Sequence, residues 1–269
     1  MKVRMYNVGF GDCFCLRDRK KSLLVDFGTN NSRIEGRPRR EIFDVIISDL
    51  STIKSKNLLL THFHMDHLSG LLYMMKKKDI SVDFGKIYLP DVFSKKEMSR
   101  TLVLLLLADL LKESGLPSRQ VSLFALVDAL LENKQNVELL SRGKLFENKY
   151  QALWPDTDVI RKETDEVYNR ICEDGKFKEV MDVLLEFAEK LRLIVWSMTA
   201  EGNKPAETVE KETDLTASEL TEQPEVRQKI IRAYVYEREF RRIKALPDFK
   251  KLLAEYLAVS YTHLTLPTI

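Results

Sequence analysis

Residues 61–67 read Thr-His-Phe-His-Met-Asp-His, and the chemistry of this chain concentrates there. Imidazole and carboxylate are the groups that a borderline divalent ion such as zinc takes as ligands. His62, His64, Asp66 and His67 place four such groups in one short string. The chain has 4 histidines, so a single segment holds three of them. A lone histidine at a strand end is ordinarily a surface or capping residue. Four ligand-type residues directly after an apolar run form a far more specific pattern.

The flanking residues say how such a string would be positioned. Lys56-Asn57-Leu58-Leu59-Leu60-Thr61 has the look of a buried strand. If the chain stays extended past Thr61, His62 and His64 point to one side and Phe63 to the other. A helix is expected next, from Met65 to about Lys77, with Leu68, Leu71, Leu72 and Met75 at helical spacing. Asp66 and His67 then lie on its first turn and approach from another direction. The string could serve two adjacent ions, His62 and His64 on one, Asp66 and His67 on the other. Two ions a few ångströms apart can share a hydroxide and clamp a substrate's oxygens.

The segment resembles the second motif of the metallo-β-lactamase fold superfamily of metal-dependent hydrolases. Leu23-Leu24-Val25-Asp26-Phe27-Gly28 is similar to the first motif of that family, a strand ending in Asp and Gly. The resemblance gives Asp26 the role of orienting the ligand loop from behind the metal. Tyr6-Asn7-Val8-Gly9-Phe10-Gly11-Asp12-Cys13 resembles the opening of one branch, typified by the hydrolase domain of bacterial DNA-uptake channels. In that branch the glycine-rich turn lies beside the active site; Gly9 and Gly11 would permit such a turn. Tyr150-Gln151-Ala152-Leu153-Trp154-Pro155 is similar to the same branch's strand before its third motif. The likeness covers residues 1–90 well and 144–156 weakly. The family completes its site with a later histidine, a bridging aspartate and a last histidine. Between Leu68 and Thr262 this chain has no histidine.

The remaining histidine, His263, sits in a tail that is expected to be foreign. Val259-Ser260-Tyr261-Thr262-His263-Leu264-Thr265-Leu266-Pro267-Thr268 matches the translation of a common transposase sequencing adapter. The expectation is that the native reading ends near Leu257, that residues 258–269 are read-through, and that the chain is the N-terminal portion of a longer hydrolase.

Composition fits a globular chain, with 44% hydrophobic and 31% charged residues. The formal net charge of +2 does not mark a nucleic-acid binder by itself. Cys13, Cys15 and Cys172 form no disulfide framework. The start lacks the apolar stretch of a signal peptide, and Leu102–Ala108 is too short to span a bilayer, so a cytoplasmic protein without a membrane segment is expected. Residues 1–91 read as strand-rich: strands at about 1–8, 13–18, 21–27, 57–62 and 86–89, a helix near 40–51, and a polar loop at 29–40. From 92 to 143 helices are expected near 94–114, 118–133 and 135–141. A returning strand follows at 145–154, within 144–156. The stretch 157–257 reads as a helical insertion, with helices near 159–173, 176–199 and 225–257 and an exposed linker at 201–224. Arg238, Arg241, Arg242 and Lys244 alternate with Tyr234, Tyr236 and Phe240, an arrangement more typical of an amphipathic helix than of a nucleic-acid contact.

The expected fold is α/β, the N-terminal half of a metallo-β-lactamase-like αββα sandwich with a large helical insertion. The expected activity is hydrolysis by a metal-activated hydroxide, with two zinc ions in the complete protein; manganese or iron would suit the same donors, and this chain by itself, lacking the later ligands, is expected to be inactive. His62, His64, Asp66 and His67 are the metal candidates, and Asp66 and Asp26 the catalytic ones. The branch resemblance points to a phosphodiester substrate, with a small molecule or nucleic acid as its carrier. The alternative is a helical assembly protein whose histidine loop is structural or vestigial.

Overall fold

A computed structural model of the chain describes residues 1–18, 21–77, 83–112, 123–133, 135–173 and 175–200. They divide into two compact units. The first comprises the described residues of 1–90 and 119–140; the second, those of 91–118 and from Ser141 onward.

The described residues of the first unit are built on a six-stranded sheet, with its strands in the following spatial order. Strands β1 (Lys2–Met5), β2 (Phe14–Asp18) and β3 (Lys21–Val25) form an antiparallel meander. Strands β6 (Ser55–Leu59), β7 (Ile87–Pro90) and β8 (Val137–Leu140) then add in parallel. Parallel neighbours need crossovers, and helices supply them. They are α1 (Arg39–Ser51) before β6, α2 (Met65–Lys76) before β7, and α4 (Leu123–Glu132) before β8. The polar stretch 29–40 carries a small hairpin, β4 (Arg33–Ile34) and β5 (Arg37–Pro38), ahead of α1.

The two sheet faces are unequal. Cross-strand partners share a face, so Cys15, Leu24, Leu58 and Ile87 line one side, and all four are buried. Helix α1 lies on this side, burying Phe43, Ile46, Ile47 and Leu50 at helical spacing. Asp49 of α1 accepts from Arg4, Arg17 and Tyr6, joining the helix to β1 and β2. The other face carries Val3, Met5, Phe14 and Leu16, with Val3 60% and Met5 72% exposed. Helix α2 rests on Phe27, which T-stacks on Phe43. Gly70 and Leu71 donate their N–H groups to the Phe27 carbonyl.

Among its described residues, the second unit has a 3-10 turn, Lys96–Met98, and three helices: α3 (Ser99–Lys112), α5 (Thr157–Glu173) and α6 (Gly175–Ser197). Helix α3 packs on both α5 and α6. Leu102–Leu107 are buried in it, as expected for a core helix. A short hairpin, β9 (Leu145–Phe146) and β10 (Tyr150–Gln151), precedes α5.

Two expected elements differ. The helix expected over 135–141 is instead strand β8, paired with β7 from Ile87↔Val137 to Pro90↔Leu140. Apolar residues in so short a run cannot distinguish helix from strand, and the open edge of β7 decides. Residues 123–140, expected within the helical stretch 92–143, fall in the first unit. The strand expected at 145–154 is only the two-residue ladder of β9 and β10. The expected linker at 201–224, helix at 225–257 and foreign tail at 258–269 lie outside the described residues. Among the described residues, no helix is long and apolar enough to cross a membrane.

Candidate metal centre

The ligand string sits at the carboxyl end of β6, in the turn leading into α2. Strand β6 ends at Leu59, and His64 is the residue that caps α2, with the His67 N–H donating to its carbonyl at 3.0 Å. The first helical turn therefore brings Asp66 and His67 back over His62. The His62 and His67 rings lie 3.8 Å apart between centroids. Ligand atoms of His62, Asp66 and His67 all lie within 4.8 Å of one another. The His64 ring stands edge-on to His62 at 4.7 Å between centroids. Alternation along an extended chain pairs His62 with His64 and Asp66 with His67. Those neighbours remain close, and the bend from Thr61 to His64 also brings His62 beside His67.

Asp26 holds this loop from below. It follows β3 directly, is only 2% exposed, and has a φ of 55°. That left-handed conformation is uncommon outside glycine, though Asp and Asn are the side chains that adopt it most readily. One carboxylate oxygen of Asp26 accepts from the Thr61 N–H at 2.8 Å. The other accepts from the Thr61 hydroxyl at 2.7 Å and from His67 Nδ1 at 2.9 Å. With its proton given to Asp26, the Thr61 hydroxyl accepts from His62 Nδ1 at 3.0 Å. Both bonds place the ring proton on Nδ1 and the lone pair on Nε2. Thus one buried carboxylate sets the tautomer of two histidines, directly for His67 and through Thr61 for His62. Outer carboxylates of this kind fix ring orientation and raise ligand basicity.

His67 is 9% exposed. Its Nε2 faces Asp12 Oδ2 and Asp66 Oδ2, each at 3.7 Å. Burial disfavours the imidazolium, but the hydrogen bond and charge of Asp26, with the charges of Asp66 and Asp12, outweigh it and hold the pKa above the ordinary histidine value. The site is therefore a place that stabilises positive charge. Imidazole nitrogens and carboxylate oxygens together form a donor set suited to zinc, and also to manganese or iron.

Asp12 and Thr61 are the residues that the sequence motif did not single out as part of the site. Asp12 appeared only as the end of a glycine-rich turn. A Thr directly before the first histidine was the only local sign of the bridge to Asp26.

Residues 6–91 match the model of the Metallo-beta-lactamase superfamily. The matched stretch runs from Tyr6 to Asp91 and includes Asp12, Asp26 and the whole ligand string. The chain is also 32% identical over 77 residues to Endoribonuclease YSH1 of Mycosarcoma maydis, a match covering 29% of this chain. It spans 8% of that relative's length. No solved structure matches the chain. The mixed α/β architecture agrees with a metallo-β-lactamase-like fold.

Proposed function

We propose that the first unit carries the ligand loop of a metal-dependent hydrolase acting on phosphodiesters. The observation that carries this reading is His67, which is buried, tied through Nδ1 to Asp26, and turned through Nε2 toward Asp12 and Asp66 beside His62. The superfamily match supports hydrolysis, and the endoribonuclease relative and the DNA-uptake resemblance both favour a phosphodiester. A bound divalent ion would acidify a water and polarise the substrate's phosphoryl oxygen.

The chain's own residues do the rest. Asp26 keeps both histidines in the tautomer that offers Nε2, and holds the loop rigid before any ion arrives. His62, His64, Asp66 and His67 are the proposed ligands, with zinc as the preferred ion and two ions in the complete centre. The Asp66 side chain is 31% exposed, against 11% for His67, and so has the readier access to solvent. It can accept the proton of the attacking water.

The test is hydrolysis of a chromogenic phosphodiester and of a thioester by the complete protein with added zinc or manganese. Phosphodiester turnover should fall by about 100-fold or more in Asp66→Asn, as loss of a general base does. Turnover of the thioester alone would overturn the substrate class. Turnover unchanged in His67→Ala would overturn the site.

A further inference from the structure

We propose that Asp12 is a metal ligand, and that the ion bound by this loop is taken between His67 Nε2, Asp66 and Asp12. The inference rests on the metal-site reading above and goes beyond the four-residue string. Three observations carry it.

The first is distance. Asp12 Oδ2 and Asp66 Oδ2 each stand 3.7 Å from His67 Nε2, too far for a hydrogen bond. Donors about 2.1 Å from a tetrahedral ion lie roughly 3.4 Å from one another. Each carboxylate thus stands within a few tenths of an ångström of that spacing to His67. The Asp12 side chain is 43% exposed, so it has room to close the difference.

The second is commitment. His67 is 91% buried and has already used Nδ1 on Asp26, so Nε2 is the atom it aims between the two carboxylates. Asp26 also has an oxygen near this group, but its carboxylate is engaged by Thr61 and His67. Asp12 is the carboxylate on this side that can turn to an ion.

The third is construction. Asp12 sits on a loop fastened to the ligand string at the backbone. Its N–H donates to the Asp66 carbonyl at 3.2 Å, and its carbonyl accepts from Gly28 at 3.3 Å. The Phe10 carbonyl accepts from Asn30 and from the Thr29 hydroxyl. Gly11 allows this approach, since a Cβ there would stand 2.3 Å from the Gly28 carbonyl oxygen and 2.7 Å from that of Asp66. The loop thus carries Asp12 to a fixed place beside the string.

The experiment titrates the 269-residue chain with zinc against a chromophoric chelator and records the visible absorption of its cobalt(II) form. Losing a partner that merely orients a ligand weakens metal affinity by about 10–100-fold, so Asp12→Asn should cost at least as much. It should also shift the cobalt bands and leave metal-free melting unchanged. Asp12→Glu, which keeps the carboxylate, should regain part of the affinity, and Glu41→Gln on α1 should match the wild type. Wild-type zinc affinity and an unchanged cobalt spectrum in Asp12→Asn would overturn the assignment. So would equal losses of metal-free stability in Asp12→Asn and Asp12→Glu, which would make the role structural. If His67→Ala abolishes binding while Asp12→Asn does not, only the Asp12 assignment falls. If His67→Ala binds zinc like the wild type, the metal reading falls with it.

Discussion

Asp26 serves three donors from a buried position, and two of them, His67 Nδ1 and the Thr61 hydroxyl, tie it to the histidine string. Asp26→Ala would leave the Thr61 N–H and His67 Nδ1 without their acceptor. The expected cost is about 3 kcal/mol in urea unfolding, since bonds to a charged acceptor are among the stronger ones. Thr61→Val keeps the shape but cuts the bridge to His62. It should cost about 1 kcal/mol and weaken zinc binding about 10-fold. His67 gives the pH prediction. Its folded pKa is raised, so in metal-free protein its contribution to stability is full below the unfolded value of about 6.5 and is lost as pH rises through the folded value. With zinc present the trend reverses, because ligation needs the neutral ring. Unfolding of wild type and His67→Gln at several pH values, with chelator and with zinc, checks both signs. A wild-type advantage in chelator that grew with pH would contradict the assignment.

Among the elements, the close approach of the β3 end to the ligand turn is the tightest fit. A Cβ on Gly28 would stand 2.6 Å from the Asp66 carbonyl carbon and from the Leu68 nitrogen, both backbone atoms. Neither can yield without moving the turn, so Gly28→Ala should cost about 1–3 kcal/mol and release zinc. A variant that keeps wild-type zinc affinity would show that the turn has slack. Strand β1 poses a different problem. Among the described residues it is a sheet edge, with Met1, Val3 and Met5 exposed. Exposed apolar edges invite pairing with another chain. Val3→Lys with Met5→Lys should reduce concentration-dependent light scattering while changing stability by less than about 0.5 kcal/mol per site. An unchanged scattering profile would place the sticky surface elsewhere.

At the scale of the whole molecule, the chain divides into two units, and every residue assigned to the metal centre lies in the first. The second unit has its own core, where Leu106, Leu184 and Leu191 are fully buried and the Thr101 and Thr164 hydroxyls bond at 3.0 Å. Leu106→Ala in α3 should destabilise its unit by about 2–5 kcal/mol. Zinc affinity of the folded protein should stay within about twofold, as sites without shared partners act independently. A tenfold loss would mean that the second unit bears on the metal centre.

What the sequence determined was local. His62, His64, Asp66 and His67 lie on one short turn, so their being neighbours needs no long-range contact. The strand before them and the helix after them follow from apolar spacing. The Asp26 strand, helix α1 and helix α3 were legible for the same reason. Tertiary structure decided the rest. Asp26 reaches Thr61 and His67 because β3 pairs with β6 in a register that puts Val25 beside Leu59, a pairing across more than thirty residues. Asp12 reaches His67 because its loop is bonded to Gly28 and Asp66. His62 comes beside His67 because β6 stops at Leu59 and α2 starts at Met65, so a turn replaced the extended chain that alternation assumes. Val137–Leu140 became a strand because the edge of β7 offered hydrogen bonds to a run with no period of its own. Periodicity records how a segment meets its immediate environment; which segments become that environment is settled only by the packing of the whole unit.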